Sequence, residues 1–462
     1  MTKTTQSSST FSAVERRATA SLASLYGVRM LGLFMVLPVL GLYMNDYADA
    51  SPLLLGLTLG VYGLTQAMLQ IPLGLLSDLI GRRPVIVGGL LMFVAGSIFA
   101  ANAETMTQLM IGRAMQGMGA IASTLMAMVT DLTCEENRTK AMAAIGASIG
   151  LSFMVAMILG PLIANYGGLA AIFWLTAGLG VLGLLIFVSQ VPRAIAVQRN
   201  RETLTDIAQI GQLLSNPVLL RLNLGVFALH LALMAAFVVI PTILTDELGI
   251  ADRDLWWVYA ALLGGGFVAM VPAMILGERH QQQKLSFVSA VAVLAVSMLV
   301  LAVHRSPLLT PLMLLAFFAA FNLLEASLPS WLSKVCPVGN RGTAMGIYST
   351  CQFFGAFAGG VLGGWSLQYY GFSGLFLLIA GVLFIWWLLA LGLQSPRALQ
   401  TLVLQVGDTD RQEFAKIVST ITGVEDILLV KGEPLAYIKV DKQKVDMQSL
   451  KPYFNRTDNR PI

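Results

Sequence analysis

The sequence predicts an all-α membrane protein with twelve transmembrane helices in two pseudo-symmetric six-helix bundles, followed by a small α+β domain. Three observations carry this reading. The 462 residues are 56% hydrophobic and 12% charged, with a mean hydropathy of +0.75, which is more apolar surface than a soluble fold of this length hides. Twelve runs approach the roughly 20 apolar residues that a helix needs to cross a ~30 Å hydrocarbon core. One fixed offset maps the first six runs onto the last six, the mark of an internal duplication.

In chain order the spans fall at 20–44, 53–80, 84–101, 106–131, 139–166 and 169–191, then at 218–244, 255–276, 285–303, 307–332, 343–370 and 374–393. The N-terminal segment, 1–19, is polar and Ser/Thr-rich at its start, and the run behind it is too long for a cleaved signal, so it is expected to stay as the first span. The offset is 203 residues: Leu37-Pro38 falls on Ile240-Pro241, Gly74 on Gly277, and Asn137-Arg138 with Ala141-Met142 on Asn340-Arg341 with Ala344-Met345. Parallel repeats of this kind imply bundles at 20–191 and 218–394 with a cavity between them near the midplane. The linker, 192–217, places Leu204, Ile207, Ile210 and Leu214 at helical spacing, as in an amphipathic helix on the membrane surface.

Lys and Arg concentrate in alternate connections, at Arg82 and Arg83, Arg138 and Lys140, Arg193, Arg199 and Arg201, Arg279 and Lys284, and Lys334 and Arg341. Cytoplasmic loops retain positive charge, so both termini are expected in the cytoplasm. These cations account for the net charge of +4, and nothing calls for a nucleic-acid partner. Cys134, Cys336 and Cys351 lack metal or redox spacing. With no metal-ligand cluster, phosphate-cradling loop or nucleophile constellation in the sequence, no cofactor, metal or enzymatic activity is expected.

Behind the second span the chain reads Gly74-Leu75-Leu76-Ser77-Asp78-Leu79-Ile80-Gly81-Arg82-Arg83-Pro84. Gly74 and Asp78 share a helical face, so a neighbour can approach the small residue and meet the carboxylate. The segment resembles motif A of the major facilitator superfamily, departing from it at Leu79, where the family often has a basic residue. The resemblance implies that Asp78 faces the start of the eleventh span near Gly342 and Thr343, whose N–H groups favour an anion. This would latch the two halves, with Arg82 paired to Asp131 and Gly81 and Arg83 completing the loop. In the fourth span, Arg113-Ala114-Met115-Gln116-Gly117-Met118-Gly119 resembles motif B of proton-coupled members. Arg113, Gln116 and Gly117 share a face, and an arginine at membrane depth calls for a partner or a wet cavity. Residues 156–164 are similar to motif C of drug/proton antiporters, with Ala156, Ala164 and Asn165 in place of glycines. Together with Gly146 and Gly150, and with Gly355, Gly359 and Gly363 in the eleventh span, they read as packing seams.

Arg29, His230 and Glu325 lie nine, twelve and seven residues from the cytoplasmic ends of their spans, about 10–18 Å deep at 1.5 Å per residue. With Arg113 and Gln116 they are expected to line the cavity. Glu325 is the expected proton site and His230 a relay, while Arg29 and Arg113 would hold that carboxylate or an anionic substrate. The tail, 395–462, reads as strand 402–406, helix 410–421, strands 427–430 and 435–440 around Gly432-Glu433-Pro434, and helix 445–453, with a final strand weak or missing in 455–462. That order is most of a ferredoxin-like domain, which could take a ligand or a protein partner.

The resemblance to the superfamily covers residues 20 to about 393. With the tail, the chain is similar to a Gram-negative branch of the family that joins this fold to a C-terminal ferredoxin-like domain. It implies a proton-coupled efflux antiporter for small amphipathic molecules in the bacterial inner membrane, working by alternating access, with a small-molecule substrate, protons and the lipid bilayer as partners. The alternatives are a proton-coupled metabolite symporter and a membrane sensor built on a transporter scaffold.

Overall fold

The computed structural model describes residues 11–133, 135–192, 211, 213–279, 282–336, 341–393, 399–406, 411–429, 435–441 and 444–450. Cys134, most of the linker with Arg193, Arg199, Arg201, Leu204, Ile207 and Ile210, the turn at 432–434 and the segment 455–462 lie outside the described residues.

Helix α1, Ala13–Phe34, starts before the apolar run because Ser12 and Glu15 form a reciprocal cap. It ends short of the expected boundary, and the chain continues as turns to Tyr43 around Pro38, which lacks an N–H to donate. Helix α2, Pro52–Ile80, is capped by Ser51 and closed by Gly81 at φ 99°. There follow α3, Arg82–Ala101, then α4, Met106–Met118, and α5, Ala122–Leu132. The expected single helix 106–131 is therefore interrupted at 119–121. A methyl group on Gly119 would stand 2.4 Å from the carbonyl of Gly89, so this bend brings two backbones into contact. Asp49, in the loop before α2, caps α4 by accepting from the N–H of Met106 (2.5 Å), the N–H of Thr107 (3.2 Å) and the Thr107 hydroxyl. The hydroxyl first, with the N–H groups, holds this carboxyl below the usual carboxylate range.

Helix α6, Glu135–Gln190, is interrupted at Gly167 and Gly168, the latter at φ 63°, ψ −164°. Helix α7, Pro217–Phe237, stops before Pro241, and short helical segments Ile240–Thr242 and Ile243–Glu247 follow. Helices α8, Leu255–Arg279, α9, Gln283–Val303, and α10, Leu309–Val335, lead to α11, Arg341–Leu391, interrupted at Gly371 with φ 65°, ψ −166°. Among the described residues, eight helices are long and apolar enough to cross a membrane, and two of them, Lys140–Gln190 and Gly342–Leu391, contain these breaks. Straight helices of such length would measure about 75 Å, far beyond a ~30 Å core. Only glycine readily supplies the left-handed backbone at which each break occurs. The duplication is written into the backbone as well: Gly168 and Gly371, and the helix ends at Met35 and Val238, are each 203 residues apart.

The halves meet along one end of the molecule. Gly56, Gly60 and Gly63 of α2 press against Phe353, Phe357, Gly360 and Gly364 of α11, so closely that a methyl on Gly56 would lie 2.1 Å from the Gly360 carbonyl oxygen. At the same end Leu53 N donates to Gln368 (3.3 Å), Asn165 to the Asp252 carbonyl (3.4 Å) and Tyr259 to the Pro38 carbonyl (3.4 Å). One apolar core runs through this seam across both halves, whereas a second, around Leu25, Leu90, Leu125 and Phe187, is built chiefly from the first half. Gly355, Gly359 and Gly363 pack on α7, as the sequence predicts. Gly146 and Gly150 do not form the expected seam: with Gly342 and Gly346, at the other end of α6 and α11, they have open space where a methyl would go.

In the tail, β1, Leu399–Gln405, α12, Arg411–Ser419, β2, Val424–Leu429, β3, Leu435–Asp441, and α13, Met447–Leu450, follow the expected order. The sheet order is β1-β3-β2 with β3 antiparallel to both neighbours, so β1 and β2 run parallel with α12 as their crossover. Its core, including Leu402, Leu404, Phe414, Val418, Ile438 and Leu450, comes from the tail alone.

Candidate functional site

The ionisable residues of the spans separate into two clusters, one in each half. In the second half, α7 brings His230, α10 Glu325 and α11 Gln352 together. His230 Nδ1 lies 3.2 Å from the Val226 carbonyl, a contact that places its proton on Nδ1 and leaves Nε2 to accept from Gln352 Nε2 at 2.8 Å. The same amide nitrogen donates to Glu325 Oε1 at 3.4 Å. Glu325 Oε2 is buried without a hydrogen-bond partner and stands 3.7 Å from His230 Nε2, although the whole side chain is 38% exposed. That separation is an ion-pair distance rather than a hydrogen bond.

In the first half, Arg29 donates to Gln66 Oε1 of α2 at 2.6 Å, and Arg113 donates to Gln116 Oε1 at 2.9 Å. Gln116 in turn donates to Ser97 of α3 at 2.8 Å, and Ser97 to the Phe93 carbonyl at 2.7 Å. The Arg113 guanidinium lies 5.2 Å from the centroid of the Tyr62 ring. Arg29 and Arg113 are 2% and 0% exposed, so they are sealed inside the bundle rather than facing an open cavity, and their hydrogen bonds go to glutamines rather than to Glu325.

The loop between α2 and α3 carries the pairing its sequence implies between Arg82 and Asp131. Arg82 pairs with Asp78 (2.5 Å) and with Asp131 (3.3 Å), and donates to Ser77 (2.7 Å). Arg83 donates to the Val191 carbonyl (2.8 Å) at the end of α6 and covers the Phe187 ring. Gly74 has Ser123 of α5 as a neighbour, 3.2 Å from where a methyl would sit. A methyl on Gly342, near the start of α11, would meet open space.

Gln352, Gln66, Tyr62 and Ser97 complete these clusters but do not emerge from a search of the spans for ionisable residues. A neutral amide inside an apolar run is the signal that finds the two glutamines. No cluster of His, Cys, Asp and Glu suited to a metal ion occurs among the described residues.

The profile described as Major Facilitator Superfamily matches residues 22–242 and 222–416, one match over each half. The chain is 42% identical over 434 residues to the inner membrane transport protein YajR of Escherichia coli, covering 93% of this chain and 95% of that protein. It is 26% identical over 340 residues to the multidrug resistance protein MdtH of Aeromonas hydrophila, covering 72% and 84%. Its fold matches a bacterial homologue of the human lysosomal transporter Spinster, solved in an inward-facing and occupied conformation, with a TM-score of 0.69 at 12% identity over 83% of this chain and 97% of that one. Apolar helices in duplicated halves, a motif A loop with its ion pairs in place, and matches of this length carry one conclusion: the chain is a membrane transporter, not an enzyme, and belongs to the Major Facilitator Superfamily.

Proposed function

We propose that this transporter is a proton-coupled efflux antiporter for small amphipathic molecules, working by alternating access, and that Glu325 with His230 forms its proton site. The array of His230, Gln352 and Glu325 carries the proposal: a carboxylate with one unpartnered buried oxygen beside an imidazole that can take up a proton. The similarity to MdtH, named for multidrug resistance, favours efflux over uptake.

Dividing α6 at Gly168 and α11 at Gly371, and counting the interrupted first, fourth and seventh segments as one span each, supports twelve spans in bundles 20–191 and 218–394. The loop cations put both termini in the cytoplasm. The glycine seam then lies at the outer end, and the opposite end, where Gly146, Gly150, Gly342 and Gly346 have open space beside them, opens inward. In this state Asp78 is paired with Arg82. When the inner ends of α2 and α11 approach, Asp78 reaches the N-terminus of α11 and latches the outward-facing state. Residues 192–217 act as the cytoplasmic linker, and the tail is a ferredoxin-like cytoplasmic domain available to a ligand or protein partner.

The test is proton movement in proteoliposomes of the purified chain and of Glu325→Gln, with a panel of solutes added. Solute-triggered proton release that disappears in the variant supports the reading. Release that persists unchanged in Glu325→Gln removes Glu325 from the mechanism.

A further inference from the structure

We infer that the first half contains a buried anion site between Arg29 and Arg113, suited to the carboxylate of a small organic molecule. Naming that molecule as cargo rests on the antiport reading; the binding itself does not.

Tyr62, Gln66 and Gln70 stand one turn apart on a single face of α2, and all three are buried. Arg113 covers Tyr62 and Arg29 holds Gln66, so the two cations lie along one polar stripe. Arg29 uses Nη2, and its Nε and Nη1 are buried without a partner. Arg113 uses Nη1, and its Nε and Nη2 are likewise buried without a partner. Those two Arg113 groups form one edge of the guanidinium, the edge whose spacing matches the two oxygens of a carboxylate. The Tyr62 hydroxyl and Gln66 Nε2 add unpartnered buried donors beside them.

Nothing in the first half supplies the missing negative charge. Its acidic residues, Glu15, Asp46, Asp49, Asp78, Glu104, Asp131, Glu135 and Glu136, sit in loops or terminal turns. Two like charges in a dry interior repel each other after both have lost their hydration, and an anion held between them relieves both penalties. Gln70 Oε1 is an unpartnered acceptor at the end of the stripe, but the guanidinium groups supply most of its free polar atoms, and a site with two positive charges and a majority of donors suits a carboxylate, which only accepts, over an ammonium.

The experiment is equilibrium dialysis of the detergent-solubilised full chain against radiolabelled benzoate at fixed ionic strength, with benzylammonium as a cation of the same shape. Wild type should bind benzoate saturably, without competition from benzylammonium. Arg113→Lys, which keeps the charge and loses the two-donor edge, should weaken binding about tenfold or more. The pair Arg29→Gln, Arg113→Gln should abolish it, and a monodisperse gel-filtration peak of that variant separates loss of the site from loss of the fold. Absence of saturable binding to wild type, unchanged affinity in Arg113→Lys, or equal competition by benzylammonium overturns the inference. Benzoate binding is read by dialysis without a proton gradient and proton release in proteoliposomes, so failure of the anion site and failure of the proton-site reading register in different assays.

Discussion

Gln352 ties the candidate proton site together. One amide nitrogen donates to both His230 Nε2 and Glu325 Oε1. Gln352→Leu removes both contacts and should lower solute-driven proton flux about tenfold, the equivalent of one charge-assisted hydrogen bond; flux equal to that of wild type in proteoliposomes contradicts a part for this amide in the site. Asp49 acts on stability instead. Its folded carboxyl is held below the usual range, so its capping contribution is complete above pH ~4 and is lost as pH falls through the lower folded value. Thermal unfolding of Asp49→Asn should begin below that of wild type at pH 7, and the gap should close as the pH is taken well into the acid range.

The helices show where sequence reading reaches and where it stops. Apolar runs located every long helix, since a bilayer demands length and hydrophobicity whatever the neighbours are. Interruptions are set by contacts between helices, and a single run of letters does not display them. Gly119 bends the chain because Gly89 lies across from it, and Gly56 matters because Gly360 does. The same limit explains the site: Arg113 and Glu325 are visible as costly residues, whereas their assignment to separate clusters depends on which side of each helix faces which partner. The seam yields a paired prediction on one helix. Gly360→Ala places a methyl 2.3 Å from the Gly56 carbonyl oxygen and should lower stability by about 1–3 kcal/mol. Gly346→Ala, in open space, should leave it unchanged or raise it by about 0.5 kcal/mol. Unfolding curves in one detergent would compare them.

At the scale of the molecule, the tail and the helical halves have separate cores, so a chain ending at Leu393 should retain its basal flux in proteoliposomes. The latch should govern the balance between states. A helix N-terminus favours a carboxylate by about 0.3–1 kcal/mol, so Asp78→Asn should raise the inward-open population about two- to fivefold under an imposed proton gradient. The labelling rate of a cysteine at Gly346, in a chain with Cys134, Cys336 and Cys351 replaced, would report it. The one-ended seam also has an electrical meaning. Voltage across a membrane falls where mobile ions and water are excluded, and under the proposed alternating access that is the layer in which the backbones of α2 and α11 touch. With the opposite end open to water, a charge on Glu325 would sit at the potential of that side despite its depth. Moving the seam to the other end would carry the charge through most of the field, about 2.3 kcal/mol per 100 mV, while the side chain itself need hardly move.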